Sequence, residues 1–490
     1  MIKRLFALIL LLIPFGAIYV ESQNPKREFR GAWMHTVFQE QYHRNTTEQN
    51  KVYLREQLDK LKDAGVNAII FQVRPQSDAF YESRLEPWSR FLTDDGKKPV
   101  PYWDPLQFMI EESHARGMEL HAWLNPYRVT SSKNQTLPAS HIYHKHPERF
   151  VRFDGKLYFD PGLPQNREFI VNVVEDIIDR YDVDGIHFDD YFYPYPVKGV
   201  EFDDKNTYER FGAGMDLGDW RRRNVDLLIE DIHQTISETK PWIIFGISPF
   251  GIWRNKSSDP RGSDTKGLQN YDALYADVLL WAKEGWIDYN MPQLYWEFEH
   301  KAAPYGVLVD WWNKNAEGRN LYIGQSVTNT MKFPDNGRTD DATQLRSKVN
   351  LTRDAKNIQG NCWWPAYDVT ANHSGVADSL MIDFQATVAL VPEYPWISDR
   401  KPAQLGNVEY DGNKIVWDKP VTKNSPDDAV KFVVYHFEED EKIDVNNSEA
   451  IECITWENEF APEYPGVYVV TALSRVNQES RPSVPVIVSE

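Results

Sequence analysis

This chain of 490 residues contains few cysteines and carries no net positive charge. The two cysteines, Cys362 and Cys453, fall in different predicted domains, so no structural disulfide is expected between them. Two thiols are also too few for a structural zinc site, which takes about four ligands. The formal net charge is −19, whereas a nucleic-acid-binding protein usually presents a basic patch. We therefore expect no nucleic-acid partner and no cofactor.

Long hydrophobic runs are missing too, apart from one near the N-terminus. A short positive region, Met1-Ile2-Lys3-Arg4, precedes an apolar stretch from Leu5 to Ile13. That stretch is short for a membrane span, which takes about 20 apolar residues. Val20-Glu21-Ser22 has small residues at the spacing that signal peptidase prefers, so residues 1–22 are predicted to be a signal peptide. No cysteine follows for lipid attachment and no later run predicts a transmembrane anchor, so we expect a periplasmic or secreted protein.

Short apolar strands alternate with amphipathic helices from Arg30 to about Thr387, which predicts a parallel sheet with helical crossovers. The predicted strands are Phe29–Met34, Val66–Val73, Met118–Leu124, Val183–Asp189, Ile243–Ser248, Ile287–Leu294, Leu321–Ser326 and Gly360–Pro365. The predicted helices are Tyr53–Ala64, Pro105–Arg116, Arg167–Arg180, Trp220–Thr239, Ala273–Glu284, Gly306–Asn315, Thr343–Lys356 and Ser379–Val388. Eight repeats indicate an α/β protein with a (β/α)8 TIM-type barrel over residues 23–391. The alternative, a doubly wound open sheet, usually has a glycine-rich phosphate loop after strand one, and none follows Trp33.

The pattern changes after Pro392, where strands of period two replace helices. These strands are Lys414–Trp417, Val430–Phe437, Glu449–Thr455 and Gly466–Ser474. With a central tryptophan, Trp417, they resemble a small all-β fibronectin type III-like sandwich over residues 392–490. Such a likeness of fold carries no function by itself. We expect this domain to be dispensable for chemistry, because every candidate site residue precedes Val391.

The segment Asp184–Pro194 is predicted to be the fourth strand and the loop that follows it. Functional groups of (β/α)8 barrels lie at this end of their strands. Because side chains alternate along a strand, His187 and Asp189 are predicted to share one face, pointing into the barrel mouth, with Phe188 and Asp190 on the other. Two acids at a strand end are costly to bury unpaired, which indicates function. Asp190 is equally well explained as a loop cap.

Six motifs resemble those of one known family and together cover nearly the whole predicted barrel. They are Arg27–Trp33, Asn67–Arg74, His121–Arg128, Asp160-Pro161-Gly162, Asp184–Pro194 and Pro292–Trp296. The chain is thereby similar to the bacterial glycosyl hydrolase-like 10 family, which includes a cell-division-associated hydrolase of peptide-free peptidoglycan strands. The resemblance implies a glycoside hydrolase with a polysaccharide substrate, foremost peptidoglycan-type amino-sugar strands, and an association with the cell wall. Related retaining glycosidases place a catalytic carboxylate where Asp189 falls.

Glycoside hydrolysis normally needs a second carboxylate. Glu297, just past the sixth predicted strand, is the first candidate, with Asp190 and Glu82 as alternatives; Glu297 could equally be a solvated loop charge. Other polar and aromatic side chains at predicted strand ends are candidates for binding sugar hydroxyls and ring faces. They are His35, Arg74, Gln76, Asp78, Trp123, Asn125, Arg128, His187, Trp253, Gln293, Tyr295, Trp296 and Asp368.

Three other functions stay open at this point. His141, His144 and His146 have spacings that suit zinc, but they lie in a polar loop without an obvious fourth ligand, so no metal site is expected. A metal-dependent deacetylase or amidohydrolase is disfavoured for the same reason. A catalytically inactive carbohydrate-binding protein would keep the aromatic cleft without a working acid–base pair. A glycosidase acting on dietary or host polysaccharide would share every feature described so far.

The export signal makes a direct prediction about the mature chain. Cleavage after Ser22 would leave a protein that begins near Gln23, because the residues before that bond have the size that signal peptidase accepts. N-terminal sequencing of natively expressed protein would check this. A mature protein that still begins with Met1 would contradict it.

Overall fold

The computed structural model describes residues 24–489, so the predicted signal peptide and its cleavage site lie outside the described residues. Eight parallel strands, β1 to β8, form the central sheet. They are Phe29–Met34, Ala68–Arg74, Glu119–Leu124, Gly185–Phe188, Ile244–Ile247, Tyr289–Asn290, Asn320–Leu321 with Ile323–Ser326, and Gly360–Trp364. Seven of the eight consist of buried residues throughout on both faces, as expected for a parallel sheet enclosed by helices.

The seventh strand closes the sheet into a barrel. Its first segment pairs with β6 through Asn320, and its second pairs with β8 through Ile323. Only Tyr322 separates the two segments, and Gln293 beyond β6 also bridges to Gly324 in the second segment. Strand β1 completes the ring by pairing with both β8 and β2. The predicted (β/α)8 barrel is confirmed, and the open doubly wound sheet is excluded.

Eight crossovers return the chain along the outside of the barrel. Their helices, α1 to α8, are Thr47–Asp63, Pro105–His114, Pro164–Arg180, Leu217–Thr239, Val278–Glu284, Tyr305–Lys314, Leu345–Asp354 and Val376–Ser379, the last running on as a wider turn over Leu380–Phe384. Shorter helices in the loops are Gln41–Arg44, Lys205–Phe211, Asn270–Ala273, Val327–Lys332 and Ala366–Thr370, and the β3–α3 loop carries a hairpin of Phe150–Phe153 and Lys156–Phe159. Within residues 24–489, none of the helices has the length and apolarity needed to cross a bilayer.

Two helix boundaries differ from the predicted ones for identifiable reasons. Helix α1 begins at Thr47, six residues before the apolar periodicity at Tyr53, because Thr46 and Gln49 form a reciprocal capping box. The predicted helix Ala273–Glu284 is two helices. Tyr275 between them has a φ of 54°, which a right-handed helix does not allow, and Asp277 then caps α5.

The C-terminal domain is all β, as predicted. One antiparallel sheet contains Glu409–Tyr410, Ile415–Val416 and Glu459–Phe460, and the other contains Ile451–Thr455, Ala429–Phe437, Gly466–Ser474 and Val486–Val488. Trp417 is buried in the core of this domain with its ring centroid 5.3 Å from that of Phe432. The specific likeness to fibronectin type III stays a prediction.

A buried ion pair joins the C-terminal domain to the base of the barrel. The Lys431 ammonium lies 2.6 Å from the Glu119 carboxylate, and the Asn477 side-chain amide donates to the same oxygen at 3.0 Å. Burial opposes ionisation of Glu119, but Lys431 and His121 outweigh it and hold the pKa of that carboxyl below its usual range. Glu119 begins β3, so this contact lies at the opposite end of the barrel from the strand ends where the candidate site residues cluster.

Breaking this pair should destabilise the whole chain. Lys431→Met leaves the Glu119 carboxylate buried without its cation, which is expected to lower the free energy of unfolding by about 3–5 kcal/mol. Urea denaturation measures the change. Lys414→Met at the exposed Lys414–Glu459 pair is the matched control and should leave stability unchanged. Adding Glu119→Gln to Lys431→Met should recover part of the loss. Equal stability of the two single variants would contradict the structural role of the buried pair.

Candidate active site

A cavity of about 240 Å³ opens at the carboxyl ends of the barrel strands. Strands β1, β2, β3 and β8 and the loops after β1, β3, β4, β5 and β6 contribute its wall. The lining residues are Trp33, Val37, Phe38, Gln72, Trp123, Arg128, Asp189, Asp190, Tyr191, Ser248, Gln293, Tyr295 and Trp364. The active sites of (β/α)8 enzymes lie at this face. The cavity thus combines two carboxyl groups with an aromatic wall.

Asp189 directly follows β4 and is almost completely buried. Its Oδ2 accepts a hydrogen bond from the Trp123 indole at 3.0 Å, and its Oδ1 accepts one from the backbone N–H of Tyr191 at 3.2 Å. The Asn125 amide lies 3.2 and 3.3 Å from the two oxygens. Burial raises the pKa of Asp189, whereas nearby Arg128 and these donors oppose the rise. The carboxylate is therefore buried but held in one orientation by donors that favour its ionised form.

Asp190 is also buried, but its environment differs. The Tyr195 hydroxyl donates to Oδ2 of Asp190. Burial, followed by the neighbouring charge of Asp189, raises the pKa of Asp190 to about 7. A carboxyl group with such a pKa is partly protonated at neutral pH, so it suits a general acid that later acts as a base. Two adjacent carboxyl groups held in unlike environments are a common basis for dividing acid and base roles.

The predicted alternation holds within β4 and fails beyond it. Phe188 faces the helical layer, where its ring meets Phe245 edge-to-face at 5.5 Å. His187 points inside the barrel, bonded to Tyr289 and Ser248, and lies below the cavity without lining it. Asp190 was expected on the face opposite Asp189, yet both line the cavity. The strand ends at Phe188, and beyond that point the backbone no longer imposes a period of two.

Three of the predicted sugar-binding residues hold the loops around the cavity. Arg74 is fully buried in an ion pair with Glu86, and its guanidinium also donates to the backbone carbonyls of Asn125 and Pro126. Gln76 donates to Asp78 at 2.8 Å, and both accept backbone N–H groups of neighbouring loops. Because Arg74 donates to the carbonyls of Asn125 and Pro126, it fixes the turn that carries Asn125. These side chains position the site, and none of the three lines the cavity.

The other candidate carboxylates lie outside the cavity wall. Glu297 is near the buried Lys348, whose pKa burial lowers to about 7 while Glu297 opposes that fall. Glu82 lies in the β2–α2 loop, where it bonds to Lys98 and Tyr102. Of the three candidates for the second carboxylate, Asp190 is the one that lines the cavity together with Asp189.

The remaining predicted residues divide into two groups. Four of them line the cavity, namely Trp123, Arg128, Gln293 and Tyr295. Asn125 does not line it but donates a hydrogen bond to Asp189. Four others do not line it: His35 lies against the ring of Trp364, Trp253 stacks on Trp311, Trp296 packs on Phe250, and Asp368 accepts a hydrogen bond from Thr328.

Sequence reasoning missed seven lining residues, which are Trp33, Val37, Phe38, Gln72, Tyr191, Ser248 and Trp364. Trp33, Gln72 and Trp364 belong to strands, where strand period alone predicts an inward position. Phe38 is 61% exposed and adopts a φ of 60°. An exposed aromatic side chain on the rim of a cleft cannot be distinguished by sequence from one in an ordinary loop.

The three histidines of the β3–α3 loop do not converge on a metal. His141 accepts a backbone hydrogen bond from Tyr143, and His146 lies 3.2 Å from Glu148. Across the part of the chain that the structure describes, no group of three or more His, Cys, Asp or Glu side chains is arranged to hold a metal ion.

A barrel with paired buried carboxyl groups in an aromatic cavity defines the class of barrel enzymes that act on carbohydrates. The glycosyl hydrolase-like 10 family matches residues 28–339. The chain is 37% identical to glycosyl hydrolase YngK of Bacillus subtilis (strain 168) over 98% of both chains. It is 40% identical to glycosyl hydrolase DigH of Escherichia coli (strain K12) over 62% of this chain and 74% of that one. The chain therefore belongs to the glycosyl hydrolase-like 10 family and is a glycoside hydrolase.

A solved structure shows a much more distant likeness. The glycoside hydrolase domain of PgaB from Bordetella bronchiseptica superposes with a TM-score of 0.47 at 13% identity, covering 73% of this chain and 99% of that chain. At that distance the likeness carries no argument about function.

Single amide substitutions should separate the three carboxyl candidates. Asp189→Asn and Asp190→Asn each keep the side-chain volume but remove the charge or the proton, so each should lower kcat at least roughly a hundredfold. Glu297→Gln is the matched control outside the cavity and should stay within a few-fold of the parent chain. Initial rates and thermal melting measure the effects. A severe loss of kcat in Glu297→Gln, together with a near-normal kcat in Asp190→Asn, would make Glu297 the second catalytic carboxylate.

The pH dependence of the reaction should report the protonation of Asp190. A general acid must carry its proton, so kcat/KM should have an alkaline limb that falls as the pH rises through about 7. Tyr195→Phe removes a donor that stabilises the ionised form, so the alkaline limb should move to higher pH. Tyr208→Phe, whose hydroxyl bonds to the backbone of Met215, should leave the limb in place. An alkaline limb that Tyr195→Phe does not move would exclude Asp190 as its source.

Proposed function

We propose that this protein is an exported glycosidase that cleaves β-linked amino-sugar polymers, with peptide-free peptidoglycan strands as its substrate. The observation that carries the chemistry is the pair of buried carboxyl groups, Asp189 and Asp190, in one aromatic cavity at the carboxyl face of the barrel. Asp190 donates its proton to the glycosidic oxygen and then deprotonates the attacking water. Asp189 stabilises the positive charge that develops at the anomeric carbon as the bond breaks.

The cavity wall has the composition that a sugar ring requires. Trp33, Trp123 and Trp364 offer flat faces on which the C–H face of a pyranose can stack. Polar groups between them, including Gln72 and Arg128, can bind ring hydroxyls. The Arg128 guanidinium also lies 4.9 Å from the centre of the Tyr191 ring, which keeps the cation on one side of the entrance.

Two sequence features and one long loop support the cell-wall substrate. The family resemblance includes a hydrolase of peptide-free glycan strands, and the predicted signal peptide would deliver the enzyme to the compartment that contains them. The long loop after β3 contributes Arg128 to the cavity wall, and stem peptides on an intact strand would collide with such a loop.

Comparison of three substrates tests this proposal. The enzyme is incubated with denuded glycan strands, intact sacculi and neutral plant glycans, and released reducing ends are counted against an Asp189→Asn control. Release should be fastest from denuded strands and slower from sacculi, because stem peptides hinder entry. Release from plant glycans alone would reject the cell-wall substrate. Binding without release from any of the three would replace hydrolysis with carbohydrate binding.

A further inference from the structure

The two carboxyl groups of the cavity are on the same side of the barrel. Asp189 and Asp190 directly follow the last residue of β4. Among residues 24–489 no other carboxylate lines the cavity. In the closed strand order, β8 is four strands from β4 and therefore stands opposite it. Strand β8 contributes Trp364, and Asp368 beyond it is bonded to Thr328 outside the wall.

This arrangement lacks what two-carboxylate glycosidases use. In those enzymes the carboxyl groups flank the scissile bond, about 5 Å apart when one is the nucleophile and about 6.5–9.5 Å apart when one activates water across the ring. Here the wall facing the pair is aromatic, so no side chain on that wall can attack the anomeric carbon or deprotonate a water there. A nucleophile on that side can instead come from the substrate, as it does in the substrate-assisted families.

We propose that the 2-acetamido group of the sugar is the nucleophile and that Asp189 holds it in place. This inference rests on the proposed function and narrows its substrate to glycans whose cleaved residue is an N-acetylated 2-amino sugar. Asp189 has the capacity for this contact. A carboxylate offers about four acceptor positions, and three donors, from Trp123, Asn125 and Tyr191, already occupy part of that capacity. A position remains for the N–H of the acetamido group.

The aromatic wall suits the rest of that group. Trp123 donates to Asp189 and also meets Trp364 edge-to-face at 6.0 Å, so an apolar surface lies directly beside the carboxylate. An acetamido N–H bonded to Asp189 would place its methyl group near this surface, where burial of apolar area is favourable. A 2-hydroxyl group could donate to Asp189 but has no methyl group to place against this surface. The same residues therefore select for the acetamido group and orient it.

The step balances without any further reactant. Asp190 gives its proton to the glycosidic oxygen, and the C1–O bond breaks with its electron pair going to that oxygen. The acetamido carbonyl oxygen bonds to C1, which forms an oxazolinium ion, and Asp189 accepts a hydrogen bond from its N–H. Water then attacks C1 as Asp190 takes its proton, and the C1–oxazoline bond opens to restore the acetamide. Two inversions at C1 leave the anomeric configuration retained.

The test varies only the nucleophile. Denuded strands are de-N-acetylated and then re-N-acylated with acetyl or trifluoroacetyl groups, the re-acetylated strands serving as the processing control. Fluorine withdraws electrons from the carbonyl oxygen, so kcat on trifluoroacetylated strands should fall at least roughly a hundredfold. An unchanged kcat would overturn the inference while hydrolysis of re-acetylated strands upholds the proposed function. No hydrolysis of either native or re-acetylated strands would instead defeat the proposed function.

A binding measurement gives a readout that does not depend on turnover. The 1,2-thiazoline of N-acetylglucosamine mimics the oxazoline intermediate, and calorimetry should show that it binds the parent chain. Asp189→Asn should weaken this binding at least roughly tenfold, because the amide replaces a charge-assisted acceptor. Glu297→Gln, outside the cavity, is the matched control and should bind as the parent chain does. Equal binding by Asp189→Asn and Glu297→Gln would show that Asp189 does not hold the acetamido group.

Discussion

Closure of the parallel sheet is the constraint on which the rest of this structure depends. A parallel barrel has no free edge, and all its strands end at one face, so residues far apart in sequence meet in a ring about one axis. Closure depends on β7, whose two short segments pair with different neighbours on either side of Tyr322. Only a closed ring brings Trp364 of β8 across from Asp189 after β4. In an open sheet these residues would be four strands apart along a surface.

A buried carboxylate needs partners, and much of the polar architecture near the cavity serves that need. Burying an unpaired carboxylate costs far more than any single packing contact provides. Trp123 and Asn125 supply donors to Asp189, and Arg74 fixes the turn that carries Asn125 while its own charge is balanced by Glu86. The chain of contacts thus runs from the cavity to a fully buried ion pair, which accounts for the rigidity expected of a preorganised site.

The C-terminal domain acts at the other end of the same strands. Lys431 reaches Glu119 at the start of β3, and the Arg475 side chain lies over the ring of Trp242 just before β5. Up to residue 489, where the described part of the domain ends, none of its residues lines the cavity. Its contribution is to cover polar and aromatic groups at the base, where a barrel without this domain would expose them to water or leave them unpaired.

Local physics in the sequence was sufficient for the fold class and for the order of the strands and helices, and it made Asp189 a candidate. Strand period, helix amphipathicity and the Thr46–Gln49 capping box all act over a few residues, so they can be read from the chain. The choice among Asp190, Glu297 and Glu82 could not be made in this way. It depends on where the backbone turns after Phe188, on which loops approach the barrel mouth, and on which charges lie buried beside Lys348. Those are consequences of ring closure and loop packing, which join residues hundreds of positions apart, and only the tertiary structure decided them.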